Sequence, residues 1–224
     1  MAHRRHVAAW LTERLYNEFA WAYDLVSWLV SLGKWDALRK SVLHYQVGRR
    51  VLEIGFGTGE LLLELRRRKI SAIGLERSPA MQRQTRRKML RQGLWTPCVQ
   101  AATQHMPFAN QSFDTIFSTV PAGYIFEAGT WSEVGRLLHK PGRFVIVGIG
   151  TSNEDMPPSR LLRILFGPPM EPLLERFEAL AGVAGLTLHL APHREGLLAI
   201  PILIAESGNL NQTSLSDDQS RLRS

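Results

Sequence analysis

The chain has 224 residues, of which 45% are hydrophobic and 21% are charged, and its formal net charge is +7 at pH 7. This length and apolar content suffice for one domain with a full hydrophobic core, and the sequence shows no low-complexity tract or obvious repeat. The single cysteine, Cys98, excludes an internal disulfide, and no group of His and Cys has the spacing of a zinc site. We therefore expect a metal-free protein of the reducing cytoplasm.

Residues 1–46 predict a helical extension rather than a signal peptide or a membrane span. The apolar run 7–11 is short, and the longer run 19–33 contains Asp24 and falls short of the roughly 20 residues that a spanning helix needs. The extension is aromatic and amphipathic because it carries Trp10, Trp21, Trp28 and Trp35. Such a face suits either peripheral contact with anionic lipid or packing over the domain that follows.

The segment 51–61 predicts a strand that runs through a glycine loop into a helix. Its glycines lie at positions 55, 57 and 59, where the absence of a Cβ lets the backbone turn tightly and approach a ligand. The spacing differs from the G-x-G-x-x-G that accommodates a pyrophosphate. Glu53 also places a carboxylate just before the loop. The pattern therefore favours a nucleotide-like ligand that carries a cationic group.

A second apolar segment, residues 71–75, ends at Glu76, whose carboxylate can accept hydrogen bonds from both ribose hydroxyls. Further along the chain, strands and helices alternate, which predicts an α/β, doubly wound, Rossmann-like fold with a mostly parallel seven-stranded sheet and helices on both faces. The short link 191–196 predicts an antiparallel hairpin, so the last strand should be reversed. We expect strands at 50–55, 71–75, 97–102, 113–118, 142–149, 186–191 and 197–205.

Four motifs in order make residues 50–150 resemble the class I methyltransferases that use S-adenosylmethionine. They are the glycine loop, the run Gly74-Leu75-Glu76-Arg77-Ser78-Pro79-Ala80-Met81, the segment from Met106-Pro107-Phe108 to Ser112-Phe113-Asp114, and Lys140-Pro141-Gly142-Arg143 before the fifth strand. The resemblance implies S-adenosylmethionine as the cofactor. It implies cofactor contacts from Glu53, Gly55, Phe56, Gly57, Thr58, Gly59, Glu76, Arg77, Thr103, Gln104 and Thr119.

One position departs from the family pattern. Ala102 stands where the family usually has an acidic residue that accepts a hydrogen bond from the adenine amino group. Adenine would then be held by backbone groups, by the amide of Gln104 or by apolar packing.

The extension is similar, more loosely, to the leader of quinone and phospholipid methyltransferases. This likeness and the position of the motifs point to Tyr23, His105 and Tyr124 as contacts of the methyl acceptor. No catalytic residue is assigned, because a sulfonium is already activated and positioning supplies most of the rate. We expect in-line methyl transfer to a small or lipid-like acceptor, such as a quinone or a phospholipid.

Other functions stay open. Basic clusters at 66–69 and 83–91 suit RNA or lipid phosphate, although an exposed helix face carries such charge in any case. Nucleic acid is the weaker partner, because Ser118-Thr119-Val120-Pro121 lacks the Asn-Pro-Pro or Asp-Pro-Pro typical of enzymes that methylate base amines. The alternatives are an RNA or protein methyltransferase and a cofactor-binding protein without transferase activity.

The sequence divides into three parts. Residues 1–46 form the helical extension, which we expect to act as a lid over the acceptor, and residues 47–206 form the S-adenosylmethionine-binding methyltransferase domain. Residues 207–224 are rich in Ser, Asn, Gln and Asp, which predicts a disordered tail.

Overall fold

A computed structural model describes residues 41–149, 171–195 and 198–208 of the chain. Seven strands form one sheet with the order β3-β2-β1-β4-β5-β7-β6. Strands β1 to β5 run parallel to one another, whereas β7 is antiparallel to both β5 and β6. The predicted fold class, including the reversed last strand, is confirmed. The strands are β1 (Val51–Ile54), β2 (Ala72–Leu75), β3 (Cys98–Val99), β4 (Phe113–Thr119), β5 (Leu138–Val147), β6 (Thr187–Glu195) and β7 (Leu198–Ser207).

Four α-helices and two short 3-10 helices accompany the sheet in the described residues. Helix α2 begins with a regular N-cap. The Ser78 hydroxyl accepts a hydrogen bond from the Met81 amide at 3.4 Å, and Pro79 occupies the first turn. The α-helices are α1 (Glu60–Arg67), α2 (Pro79–Arg91), α3 (Ala128–Leu137) and α4 (Glu171–Val183), and the 3-10 helices are Val42–Tyr45 and Gly123–Phe126.

Helices cover both faces of the sheet, and each face has its own core. On one face, Trp131 of α3 and Phe177 of α4 are fully buried against β4 and β5. On the other face, a row of leucines from α1 packs with Met89 of α2 and with Val42. The two helical layers hold the sheet rigid, so the carboxyl ends of β1, β2 and β4 form a fixed platform.

Three strands differ most from the sequence-based expectation. Strand β6 runs to Glu195 rather than ending at 191, because residues 192–195 go on pairing with β7, so the predicted link 191–196 was too long. Strand β5 begins at Leu138 rather than at 142, because α3 ends at Leu137 and the chain pairs with Phe113 of β4 at once, with a register shift before Thr115. Strand β3 covers only residues 98–99 rather than 97–102, since as the edge strand it pairs only with β2.

Several expectations concern residues outside the described ranges. These are the helical lid of the extension as far as residue 40, with Tyr23, and the part of the predicted disordered tail from residue 209 onward, whereas Ser207, the first residue of that tail, instead ends β7 and is buried. They stay predictions. Within the described residues, none of the helices combines the length and the apolar character needed to cross a bilayer.

Asp114, at the start of β4, fixes the turn that leads into β1. Its Oδ2 accepts hydrogen bonds from the amides of Arg49 and Arg50, both at 3.0 Å, while the Arg50 guanidinium binds Oδ1. The hydrogen bond and charge of Arg50, opposed by partial burial, lower the pKa of Asp114 to about 2 from 3.8. The ionised carboxylate therefore stabilises the amino end of the sheet.

Replacing this carboxylate tests its contribution. Asp114→Asn should lower the free energy of unfolding by about 1 kcal/mol at pH 7, since solvent screens this half-exposed ion pair. Because the folded pKa is depressed, the contribution is present above about pH 4 and is lost as the pH falls towards 2. Urea denaturation from pH 7 to pH 3 should show the difference between wild type and variant becoming smaller. The exposed control Glu178→Gln should change stability by less than about 0.5 kcal/mol, and a pH-independent difference would contradict the assignment.

Candidate functional site

The glycine loop lies at the carboxyl end of β1, in the centre of the platform. Gly55, Gly57 and Gly59 have φ angles of +65°, +53° and +76°, all in the left-handed region that residues with a Cβ avoid. The Gly55 amide donates to the Leu75 carbonyl of β2 at 2.7 Å, and the Gly59 amide donates to the Phe56 carbonyl at 2.8 Å. The loop is thus tied to β2 and closes directly into α1.

Glu76 is the second anchor of the loop, and the structure places it beside the glycines as the sequence predicts. Its Oε2 accepts a hydrogen bond from the Gly57 amide at 3.0 Å, and its Oε1 accepts one from the Ser78 amide at 2.8 Å. Only 4% of Glu76 is exposed. Burial raises the pKa of this carboxyl, while the Ser78 and Gly57 amides act in the opposite direction. The Arg77 amide acts in the same direction as the other two. Because a carboxylate has about four acceptor sites, Glu76 can still accept a hydrogen bond from a ligand hydroxyl.

Glu53 brings a second buried carboxylate to the same loop. It lies on β1, only 1% of it is exposed, and its Oε1 accepts a hydrogen bond from the Thr119 hydroxyl at the end of β4, at 3.3 Å. Glu53 and Glu76 therefore flank the loop from two adjacent strands. Two buried carboxylates beside a glycine loop favour a ligand that carries both a positive charge and hydroxyl donors.

Tyr124 lies against the first glycine of the loop. Its hydroxyl donates to the Ile54 carbonyl at 3.1 Å and is 2.9 Å from the Ser118 hydroxyl. Since the single phenolic hydrogen is used on Ile54, Ser118 must donate to Tyr124. A Cβ on Gly55 would lie 2.2 Å from the Tyr124 hydroxyl oxygen, so Gly55 is required for this contact. Tyr124, which the sequence predicts to contact the methyl acceptor, thus borders the glycine loop.

Thr85 of α2 also positions the loop, and the sequence analysis missed it. The fully buried Thr85 donates from Oγ1 to the Gly57 carbonyl at 3.0 Å, and a Cβ on Gly59 would lie 2.3 Å from its methyl group. The sequence did contain a signal. Thr85 is a polar residue on the buried stripe of α2, between Met81 and Met89, where an unexplained hydroxyl indicates a specific partner.

The segment after β3 carries the residues predicted to meet the adenine. Thr103 is buried and its hydroxyl is 2.8 Å from that of Thr130, whereas the partly buried Gln104 donates from its amide to Glu127. Both side chains therefore face α3 and its first turn. Ala102, the position that departs from the family pattern, is partly buried directly before them.

The ion pair between Arg136 and Glu133 on α3 holds the segment after β3 in place. The Arg136 guanidinium donates to the carbonyls of Phe108 at 2.8 Å and Met106 at 3.0 Å, and Glu133 accepts from the Met106 amide at 2.7 Å. Hydrogen bonds from Arg136 lower the pKa of Glu133, and the imidazole of His105 adds a smaller effect. His105 is exposed and lies near Glu133, so the structure places it beside the Arg136–Glu133 ion pair.

The remaining predicted cofactor contacts differ in exposure. Phe56 is buried and packs on Gly74, where an added Cβ would lie 2.6 Å from its ring, so its side chain supports the loop from below. Thr58 is buried as well, while Arg77 is exposed. Over the part of the chain that the structure describes, no three His, Cys, Asp or Glu side chains form a group able to hold a metal ion.

Comparison with known proteins agrees with this geometry. Residues 51–142 match the family model described as a methyltransferase domain. Residues 51–142 therefore form a methyltransferase domain, of the class I type that uses S-adenosylmethionine. The matched range covers the glycine loop, Glu76, the segment after β3 and all of α3, which are the parts that build the site described above.

Two curated relatives are similar to somewhat more than half of this chain. It is 29% identical over 141 residues to a demethylmenaquinone methyltransferase of Thermus thermophilus, covering 59% of this chain and 63% of the relative. It is 28% identical over 155 residues to a ubiquinone/menaquinone biosynthesis C-methyltransferase of Geotalea uraniireducens, covering 62% of this chain and 63% of the relative. The chain thus spans less than two thirds of the length of either relative.

A solved structure shares the fold. A protein of Methanococcus maripaludis, described as a candidate S-adenosyl-L-methionine-dependent methyltransferase, superposes with a TM-score of 0.65 at 17% sequence identity. The superposition covers 88% of this chain and 96% of the other. At this identity the likeness supports the fold, and the function has to be argued from the site.

The close contact between Gly55 and Tyr124 leads to a matched pair of glycine variants. Gly93 has almost the same φ, +64°, but open space where its Cβ would lie, so Gly93→Ala measures backbone strain alone. Gly55→Ala should cost about 1 to 3 kcal/mol more in urea denaturation, because the new methyl group meets the Tyr124 hydroxyl. Adding Tyr124→Ala should remove most of that difference. Equal costs for Gly55→Ala and Gly93→Ala would contradict the contact.

The carboxylate of Glu76 predicts a pH-dependent affinity for the cofactor product S-adenosylhomocysteine. Glu76→Ala should weaken binding by about 1 to 3 kcal/mol in calorimetry, the usual cost of losing a charged hydrogen bond, and Gly57→Arg should abolish it. Because the pKa of Glu76 is raised, the carboxylate becomes protonated above pH 4.5, the pKa of an ordinary glutamate. As the pH is lowered, the affinity of the wild type should therefore begin to decrease above that pH. The control Glu178→Gln should bind normally. Unchanged affinity in the Glu76 and Gly57 variants would overturn the site.

Proposed function

We propose that this chain transfers the methyl group of S-adenosylmethionine to a small hydrophobic acceptor of the quinone type. The observation that carries the proposal is the glycine loop held between two buried carboxylates, Glu53 and Glu76, at the carboxyl ends of adjacent parallel strands. This is the position at which open α/β sheets bind nucleotide-like ligands.

The residues present suit this cofactor on structural grounds. The close contacts of Gly55 with Tyr124 and of Gly59 with Thr85 show that the loop is packed from outside by side chains. Only glycine fits at these two positions, and the backbone there can approach a ligand closely. Glu76 would accept hydrogen bonds from the ribose hydroxyls, while Glu53 would balance the positive charge of the amino acid part. Thr103 and Gln104 would border the adenine, with the loop below the methionine part.

When bound, S-adenosylmethionine supplies a methyl group that its sulfonium has already activated. The protein then has to place the acceptor in line and exclude water, and for such reactions positioning supplies most of the rate. Tyr124 is suited to this role because its ring lies on Gly55 and its hydroxyl is fixed by Ile54 and Ser118. A side chain whose orientation is already set loses little entropy when the acceptor binds.

The acceptor class rests on two kinds of similarity. The curated relatives are named for demethylmenaquinone and for ubiquinone/menaquinone biosynthesis, at 28 to 29% identity. The extension resembles the leader of quinone and phospholipid methyltransferases. Its four tryptophans suit an apolar acceptor or a contact with the membrane in which such acceptors dissolve.

The proposal is tested by following labelled methyl from S-adenosylmethionine. The purified chain is incubated with demethylated naphthoquinol in detergent micelles, with the same compound in anionic vesicles, with total RNA and with total protein. Label should enter the quinone. In the Glu76→Ala variant, kcat/KM should fall by about 5- to 150-fold, which corresponds to 1 to 3 kcal/mol. The control Glu178→Gln should keep wild-type activity.

Each other outcome contradicts a definite part of the proposal. Label only in RNA or protein would refute the acceptor class and leave methyl transfer in place. Label in no fraction, from a protein that binds S-adenosylhomocysteine in calorimetry, would refute transferase activity and favour a cofactor-binding role. Faster transfer from vesicles than from micelles would support membrane contact, whereas equal rates would refute it.

A further inference from the structure

A second concave surface lies away from the glycine loop, at the edge of the sheet. It is a cavity of about 470 Å³ where α2 leads into β3, lined mainly by Arg86, Met89, Leu90, Leu94, Trp95 and Pro97. These residues precede β3, whereas the glycine loop and Glu76 follow β1 and β2. Because the strands are parallel, the two sites lie at opposite ends of the sheet.

The rim of this cavity exposes two large apolar side chains to solvent. Leu90 is 73% exposed and Trp95 is 68% exposed. Among the described residues only three large hydrophobic side chains are more than 60% exposed, and two of them are on this one rim. Exposed tryptophan and leucine beside an apolar cavity mark a surface that gains free energy when another molecule covers it.

The surface around the cavity is strongly basic. Arg83, Arg86 and Arg87 are exposed on α2, and their helical spacing places them on the same face as Leu90. Helix α2 contains no acidic residue. At its end, Gln92 accepts a hydrogen bond from Arg67 at 2.7 Å, which joins α2 to the exposed basic residues that end α1. Glu64 pairs with Arg67 and Arg68 at the end of α1, so the positive charge around the apolar rim comes mainly from α2.

We propose that this cavity binds a segment of another protein that is rich in acidic residues and inserts a bulky apolar side chain between Leu90 and Trp95. Charge complementarity selects an acidic partner, since the surrounding arginines would attract carboxylates and would repel a second copy of a chain with a net charge of +7. Arginine, tryptophan and methionine are also the residue types enriched at protein interfaces.

The shape of the surface favours a protein over a lipid bilayer or a nucleic acid. A bilayer accepts side chains that protrude, whereas Leu90, Leu94 and Trp95 border a concavity that needs filling. The lining is mainly apolar and has Arg86 as its one charged residue. It therefore offers few of the polar groups with which bases are read. Because the cavity is at the opposite end of the sheet, a bound partner would leave the cofactor loop open.

Photo-crosslinking of the full chain in its host cells tests the occupant directly. Trp95 is replaced by p-benzoylphenylalanine, and Val183, 71% exposed on α4, is replaced in the same way as the matched control. The adduct at position 95 is digested, and the crosslinked peptide is sequenced. We expect one protein whose crosslinked segment is acidic and contains a large apolar residue, with no such adduct at position 183.

The identified segment is then synthesised, and its affinity for the purified chain is measured by fluorescence anisotropy. Leu90→Ser and the charge reversal Arg86→Glu should each weaken binding at least about tenfold, and higher salt should weaken it further. Val183→Ser and Lys140→Glu serve as the apolar and charge controls and should bind as the wild type does. Binding of S-adenosylhomocysteine should be unchanged in Leu90→Ser, which shows that the variant is folded.

Several results would overturn the proposal. They are an adduct with lipid, with nucleic acid, with a second copy or with another segment of the same chain, the same protein adducts at positions 95 and 183, or no adduct at position 95. A synthetic segment that binds Leu90→Ser and Arg86→Glu as tightly as wild type would overturn it too.

Discussion

The hydrogen bonds that Glu76 accepts from the Gly57 and Ser78 amides are the constraint on which the candidate site depends. A single buried carboxylate fixes both the middle of the glycine loop and the start of α2. Because burial makes ionisation of this group costly, the amides that face it contribute to keeping it charged. Thr85 then holds the Gly57 carbonyl from α2, so both the amide and the carbonyl of Gly57 are fixed by side chains. A loop held this way is preorganised for its ligand.

The same logic extends outward from the loop. Tyr124 and Ser118 connect the first glycine to β4, and Arg136 with Glu133 fastens the segment after β3 to α3. Each device uses a polar side chain to satisfy backbone groups that the ends of the strands leave without ladder partners. The positions that would meet ribose, adenine and acceptor are thereby set relative to one another by the fold itself.

Much of this could be predicted from the sequence, because the signals were local. The alternation of apolar segments predicted seven strands and the short link before β7 predicted its reversal, while the three glycines with Glu53 and Glu76 predicted the loop. The missed features depend on distant parts of the chain. Thr85 binds the Gly57 carbonyl 28 positions away, and Thr130 binds the Thr103 hydroxyl 27 positions away. Ser118 acts through Tyr124, which is 6 positions away but lies in a different element. The early start of β5 likewise depends on its pairing with Phe113, which no local pattern encodes.

Amide hydrogen exchange with and without S-adenosylhomocysteine tests the central claim most directly, since it reports on every backbone amide of the site at once. The ligand should increase the protection of the amides at 55–59 and 76–78, with a smaller increase at 103–105. The protection of the amides around Trp95, between α2 and β3, should not change. Saturating ligand that leaves the glycine loop as exposed as before, or that protects only residues outside these ranges, would contradict the claim that this loop is the cofactor site.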